Sequence, residues 1–220
     1  MNKSVVFFHD TRLKYDESGR YYTTSGLTSS FFDTYLELFN KLIVFTRKEL
    51  IESKFDKSKF SLASNKNVTF ECTDKLSVIK LFITKDRYRI RKLIKDSDFT
   101  IIRLPSVIGI AACIEAKKLK KPYVVEMVGC PWDTLWNYGK FKYKIAAIPL
   151  YCIYKYLVYC SPNVAYVSQE FLQKRYPTKG KSIACSDVQL SDLDETNLVE
   201  RIEKIKQHKK SNSISLCTVA

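Results

Sequence analysis

Short apolar runs alternate along this chain with longer stretches in which apolar residues recur every three or four positions. The first kind reads as buried strand, the second as helix with one buried stripe. Ser4–Phe8, Lys41–Thr46 and, more weakly, Asn67–Cys72 are strands on this pattern. Phe31, Phe32, Tyr35, Leu36 and Phe39 have helical spacing over 31–40. A second helical stripe runs through Val78, Ile79, Phe82, Ile83, Ile90, Leu93 and Ile94, over 76–95. A polar loop from Thr11 to about Gly26 joins the first strand to the first helix.

The middle of the chain is cleaner. Asp98–Leu104 is a strand, Pro105 and Ser106 open a helix that reaches about Lys120, and Lys121–Pro122 breaks it. Tyr123–Val128 is the next strand, stopped by Gly129. Asn163–Ser168 follows, then a short helix ending at Tyr176–Pro177 and a strand at Lys181–Cys185. Ser191–Lys210 reads as a helix: Ser191 or Asp192 caps it, Asp194 and Glu195 fill its first turn, and Lys204, Lys206, Lys209 and Lys210 crowd its end. That polarity suits the helix macrodipole. Ser213–Val219 is one more apolar strand, which needs neighbours for its backbone groups.

Strand–helix alternation with near-continuous apolar strands predicts an α/β fold, a Rossmann-like parallel sheet with helices on both faces, over 1–187. Residues 188–220 read as a linker helix and the first strand of a further domain. Ligands of such sheets bind outside the carboxyl ends of the strands. That rule points at 9–26, 103–106, 129–133, 168–169 and 186.

Composition narrows the class. The 220 residues are 45% hydrophobic and 27% charged, a balance that excludes disorder and suffices for a core without staples. The net charge is +14, and the whole excess lies before Lys181, since from that residue onward six basic residues meet six acidic ones. Such an excess suits nucleic acid, an anionic membrane or a phosphorylated substrate. The seven cysteines form no closely spaced pairs, so they read as reduced thiols, with neither metal nor cofactor called for. Val5–Phe8 is too short for the apolar core of a signal peptide.

Several residues carry candidate chemistry. Thr24, Ser25 and Gly26 sit where backbone can approach an anion before a helix start, although a plain capped loop explains them as well. Arg103 ends a buried strand, and either faces the cleft or is salt-bridged. Glu126 lies in a buried strand and needs a partner, for which Arg103 is the obvious candidate. Gly129 turns the chain at the same edge. Asp133 could accept a hydroxyl proton as a general base, or simply cap the helix that follows through Thr134 and Leu135.

The stretch 134–169 has no acidic residue. Lys140, Lys142, Lys144 and Lys155 alternate there with aromatics that include Trp136 and Tyr151. Its apolar part, 145–160, is interrupted by Pro149 and Lys155 and falls short of the ~20 apolar residues of a bilayer span. Lysines and aromatics beside an apolar face suit a membrane interface. A core helix, or a surface on which bases stack, would use similar residues.

The runs Asp98–Ser106, Lys121–Gly129 with Pro131–Asp133, and Asn163–Ser168 with Leu172–Pro177 resemble the acceptor domain of family 4 glycosyltransferases of bacterial surface polysaccharide synthesis. Tyr21–Phe39, with Gly26 and Tyr35, resembles that family's first loop and helix. The resemblance implies the GT-B arrangement: two facing Rossmann-like domains, retention of the donor's anomeric configuration and no metal. It implies a nucleotide-sugar donor held mainly by a C-terminal domain, and a lipid-linked glycan acceptor. It also implies work at the cytoplasmic membrane face, with no nucleic acid. Gly26 matches the loop that approaches the donor diphosphate, where many members carry two glycines. A histidine often precedes the glycine at Gly129, where this chain has Val128, and the family's paired glutamates lie in the C-terminal domain. On this resemblance the chain is the acceptor half of an enzyme, truncated or completed by another polypeptide. The alternative is a non-catalytic remnant or a basic membrane- or nucleic-acid-binding module.

Overall fold

The computed structural model describes residues 3–51, 59–73, 85–186 and 195–211. The chain divides into two compact units, Met1–Ser186 and Asp187–Ala220. The second contains one described helix, Glu195–Ser211. The predicted Ser213–Val219 strand, the Ser191 or Asp192 cap and most of the early part of the 76–95 helix lie outside the described residues.

The first unit is built on a nine-stranded sheet. Its strands are β1 (Ser4–Tyr15), β2 (Tyr21–Thr23), β3 (Lys41–Leu50), β4 (Ser61–Leu62), β5 (Val68–Thr73), β6 (Phe99–Leu104), β7 (Tyr123–Met127), β8 (Asn163–Tyr166) and β9 (Lys181–Ala184). Its helices are α1 (Ser29–Leu36), α2 (Lys85–Asp96), α3 (Val107–Leu119), α4 (Pro131–Trp136), α5 (Phe141–Tyr159) and α6 (Phe171–Arg175). Parallel pairing gives the order β5-β3-β1-β6-β7-β8-β9. Strand order therefore reverses between β1 and β6, the topological switch point of a Rossmann-like sheet. The expected fold class is the observed one.

Alternation along the strands feeds two cores. Val6, Phe8, Ile102, Leu104, Val125 and Met127 face one side, under α2, α3, α5 and Leu172 of α6. Val5, Phe7, Leu42, Val44 and Ile101 face the other, where Phe31 and Phe32 of α1 cover them. Burial on both faces is why these strands read as continuous apolar runs.

The region after the first strand differs from expectation. Thr11–Tyr15 continues β1, and Tyr21–Thr23 returns beside it as an antiparallel hairpin. Leu13 is buried, so this segment alternates polar and apolar as a half-buried strand does. Gly19, at φ +76°, supplies the left-handed residue of the turn. β2 also pairs antiparallel with β4, so the sheet is mostly rather than wholly parallel. In addition α1 ends at Leu36, four residues before the predicted end.

Between its two halves β1 carries a bulge. Phe8 pairs with Phe45 and Arg12 with Arg47, so His9, Asp10 and Thr11 stand against Thr46 alone. Three contacts pin it. The Asp10 carboxylate accepts the Val107 N–H at 2.8 Å, the Asp10 carbonyl accepts from Arg47 Nε at 2.7 Å, and the Thr46 hydroxyl donates to the Thr11 carbonyl. Asp10 thus joins Ser106, whose Oγ accepts from Gly109 N, in capping α3. A Cβ at Gly109 would stand 2.6 Å from Leu104 Cδ2 and 3.1 Å from the Arg103 carbonyl, so only glycine lets α3 seat this closely on β6.

Helix α2 is tied to α3 by charge. Glu115 is 1% exposed and receives Arg87 Nε at 2.9 Å, with Arg91 at 3.6 Å. Removing the closer cation leaves a buried carboxylate with only the longer Arg91 contact. We expect Arg87→Met to lower unfolding free energy by about 3 kcal/mol. The double variant Arg87→Met/Glu115→Met should recover much of that loss, as urea melts of the four corners of the cycle would show.

Candidate functional site

The carboxyl edge at the β1/β6 switch point gathers residues from four elements. Parallel register sets Arg103 of β6 opposite Glu126 of β7. Their side chains pair, Arg103 Nη1 to Glu126 Oε2 at 3.1 Å, with only 11% and 16% of their surfaces exposed. Tyr35 of α1 donates its hydroxyl to Glu126 Oε1 at 2.7 Å. The Arg103 guanidinium also lies 5.2 Å over the Phe31 ring. The Arg103–Glu126 partnership expected from the sequence is present. Tyr35 in this role was not expected, because the contact joins residues 91 apart in the chain. With both oxygens engaged, Glu126 is a positioned acceptor rather than an open base, and Arg103 is locked in orientation on two sides.

His9 stands beside this cluster on the bulge. Its Nδ1 accepts the Thr11 N–H at 3.2 Å and lies 2.5 Å from Thr11 Oγ1. The ring proton is therefore assigned to Nε2. Burial drives the His9 pKa down to about 4; Asp10 opposes the shift, and the Arg103 and Arg47 charges reinforce it. The ring is neutral at pH 7, a hydrogen-bonding group rather than a cation.

Gly129 follows β7 at the same edge, and a Cβ there would stand 3.6 Å from Pro105 Cδ. Thr24, Ser25 and Gly26 are exposed in the loop between β2 and α1. They precede the helix rather than open it: α1 starts at Ser29, capped by the Thr28 hydroxyl, which accepts from Phe31 N at 3.3 Å. A Cβ on Gly26 would meet nothing within 4 Å.

Asp133 belongs to another cluster. Arg175 Nη1 binds both of its oxygens, at 2.7 and 2.6 Å, and contacts Cys130 Sγ at 3.2 Å. The cap of α4 is Cys130, whose sulfur accepts from Asp133 N at 3.5 Å. Asp133 is thus neither the helix cap nor an open base; it is half of an ion pair that fastens α4 to α6. The sequence placed a carboxylate at this edge but gave no sign of a cation 42 residues on. Among the described residues no group of three or more His, Cys, Asp and Glu side chains is placed to hold a metal ion.

The helical region 131–159 forms a second surface. Lys144 lies 5.4 Å over the Trp136 ring, and Trp136 stacks on Trp132 at 4.8 Å. Lys140 and Lys142 are exposed at the start of α5. Lys155 reaches the Tyr151 hydroxyl at 3.2 Å. Tyr151, however, is half-buried against Trp132 and Tyr176, so its ring is part of the packing and not of the surface. The exposed stripe is instead Phe141, Ile145, Ile148, Cys152, Tyr156 and Tyr159, at spacings of three and four. Phe141, Ile145 and Ile148 are 76%, 58% and 54% exposed. Ala147, Tyr154, Leu157 and Val158 form the buried face. The sequence marked the segment but not its faces, because it is apolar all round. No described helix is long and apolar enough to cross a membrane.

Fold and edge together define a Rossmann-like α/β unit with a polar cluster at its switch point. No protein-family profile matches the chain. The chain is 30% identical over 199 residues to Protein CapJ of Staphylococcus aureus, a match covering 88% of this chain and 49% of that protein. It thus spans about half the length of the curated relative it matches. Similar solved structures include a UGT transferase from Siraitia grosvenorii in complex with UDP, at TM-score 0.48 and 10% identity over 94% of this chain and 56% of that one. A UDP-N-acetylglucosamine 2-epimerase gives TM-score 0.47 and 8% identity, over 84% and 48% of the two chains.

The His9 environment makes a pH prediction. The folded pKa of about 4 lies below the ordinary 6.5, so the unfolded chain binds the extra proton between those values. Stability should therefore fall as pH drops from about 6.5 toward 4. The limit for this residue is about 3 kcal/mol, reduced by its partial exposure. His9→Asn should flatten that limb relative to wild type in urea melts taken across the interval.

Proposed function

We propose that this chain is the acceptor-binding half of a GT-B glycosyltransferase of surface polysaccharide synthesis. The observation that carries the reading is spatial. The three runs that resemble family 4 glycosyltransferases supply β6, β7 and β8, and β6 ends at the switch-point crevice where ligands of such sheets bind. The similarity to Protein CapJ spans nearly all of this chain and supports a related role.

On this reading the acceptor's sugar hydroxyl enters the crevice between the β1 bulge and the Arg103–Glu126–Tyr35 cluster. Neutral His9 and the locked Arg103 orient it by hydrogen bonds. The Thr24–Gly26 loop approaches the donor diphosphate, where Gly26 leaves room for it. A nucleotide-sugar needs its departing phosphate stabilised by preorganised positive groups. These come from a second Rossmann-like lobe. No base is assigned to Asp133, given its bond to Arg175. On this reading a polypeptide of residues 1–220 by itself should turn over little donor.

The acceptor is lipid-linked and the unit rests on the cytoplasmic membrane surface through α5. Exposed Phe141, Ile145 and Ile148 enter the interface, while Lys140, Lys142 and Lys144 meet anionic headgroups.

Two experiments test these readings. Supplied with a donor-lobe polypeptide, the chain should release nucleotide from a nucleotide-sugar in the presence of membrane acceptor, and Gly26→Trp should abolish that release without shifting the thermal transition. Turnover unchanged by Gly26→Trp would remove the loop from the site, and full turnover by the chain alone would refute the half-site reading. Separately, Ile145→Glu/Ile148→Glu should weaken co-sedimentation with phosphatidylglycerol vesicles by about ten-fold or more. The melting temperature should hold, because both side chains are exposed.

A further inference from the structure

The end of α5 away from the switch point borders a groove that the reading above does not use. It lies between α3, the last turns of α5 and the first residue of β7. Its volume is about 320 Å³, and Cys113, Ile114, Tyr123, Leu157 and Cys160 make an almost wholly apolar wall. This size falls at the lower end of the roughly 300–1,000 Å³ typical of small-molecule sites. Lys117, Lys118 and Tyr156 complete the lining. All three are exposed, and Lys117 Nζ stands 5.3 Å over the Tyr156 ring.

Two features say what fits there. The lining is hydrocarbon-like with two ammonium groups and no carboxylate, which suits an anionic headgroup joined to an apolar chain. Tyr156 also belongs to the exposed stripe of α5, so the groove opens onto the surface proposed to lie on the membrane. It is not the reaction crevice, because Tyr123 and Met127 stand at opposite ends of β7, roughly 13 Å apart at strand rise.

We propose that this groove holds one acyl chain of an anionic phospholipid, whose phosphate is met by Lys117 and Lys118. The site tethers the protein to a single lipid at the end of α5 distant from the chemistry. The proposal rests on the membrane reading of α5 for the source of its ligand.

The test uses dihexanoylphosphatidylglycerol below its micellar concentration, with the full chain carrying labelled Ile and Leu methyl groups. Saturable shifts of the Ile114 and Leu157 methyl resonances are expected. Dihexanoylphosphatidylcholine should bind on the order of ten-fold more weakly, and Lys117→Gln/Lys118→Gln should cost a similar factor for the anionic lipid. Glycerol 3-phosphate, the headgroup without its chains, should leave the two methyls unshifted. Ile114→Phe, which fills the groove, should abolish the Leu157 shift while retaining the wild-type melting profile. No saturable shift, equal shifts with glycerol 3-phosphate, or undiminished binding by Ile114→Phe would each overturn the proposal. Vesicle co-sedimentation separates the two readings. Wild-type binding to phosphatidylglycerol vesicles with a silent groove refutes the groove alone. Groove binding of the soluble lipid without vesicle binding refutes the α5 interface and leaves the lipid site.

Discussion

The bulge in β1 is the constraint on which the carboxyl edge depends. Up to Phe8 the strand pairs with both β3 and β6; beyond it, only β3 and the β2 hairpin continue. The Asp10 carboxylate makes the departure possible by accepting the first N–H of α3, which would otherwise face the edge unpaired. Arg47 on the Asp10 carbonyl and Thr46 on the Thr11 carbonyl satisfy backbone that the register shift removes from the ladder. The result is a fixed separation of β1 from β6 beyond Phe8, with His9 and Arg103 close enough for the Arg103 charge to act on the ring. Without Asp10, both the helix start and the strand end would be left to water for their hydrogen bonds.

The polar cluster opposite the bulge shows the same economy of partners. A carboxylate in a buried strand is tolerable only when its oxygens are engaged. Glu126 has Arg103 on one oxygen and Tyr35 on the other. Tyr35 also packs its ring near Phe7 and Phe31, so α1 is held to the sheet by apolar and polar contacts at once. The cluster is therefore structural in origin, and it holds Arg103 and Glu126 rigidly at the carboxyl edge.

How much of this was legible in the sequence follows from the range of each interaction. β6, β7 and β8 were readable because burial on both faces writes a continuous apolar run. The Arg103–Glu126 pair was readable because two neighbouring parallel strands set their charges near the same end. The second half of β1 was missed because Thr11–Tyr15 alternates over too few residues to stand out from a polar loop. Tyr35 on Glu126 and Arg175 on Asp133 were illegible for another reason. Each joins segments far apart in the chain, and only the folded sheet brings them together. In α5 the residue types were informative and the phase was not: a helix apolar on every side does not declare which stripe meets the core. That is why Tyr151 was placed at the surface and Ile145 and Ile148 were not singled out.

The helix α5 also connects the two proposed sites in space. Its 19 residues span about 28 Å at helical rise. α4 begins at Pro131, directly after the Gly129 turn on the carboxyl edge, and α5 ends at Tyr159, shortly before Asn163 opens β8 at the opposite edge. A stripe of exposed apolar residues along such a helix therefore runs from the crevice side of the sheet to the groove side. If α5 lies in an interface, contact is made along a line rather than at a point, and a line fixes orientation where a point would allow the molecule to tilt. A lipid held at the far end would fix the remaining rotation, with the crevice kept at the level of the headgroups. Lysines crowd the crevice end and Lys117 and Lys118 mark the other, so attraction to an anionic surface acts at both ends of that line.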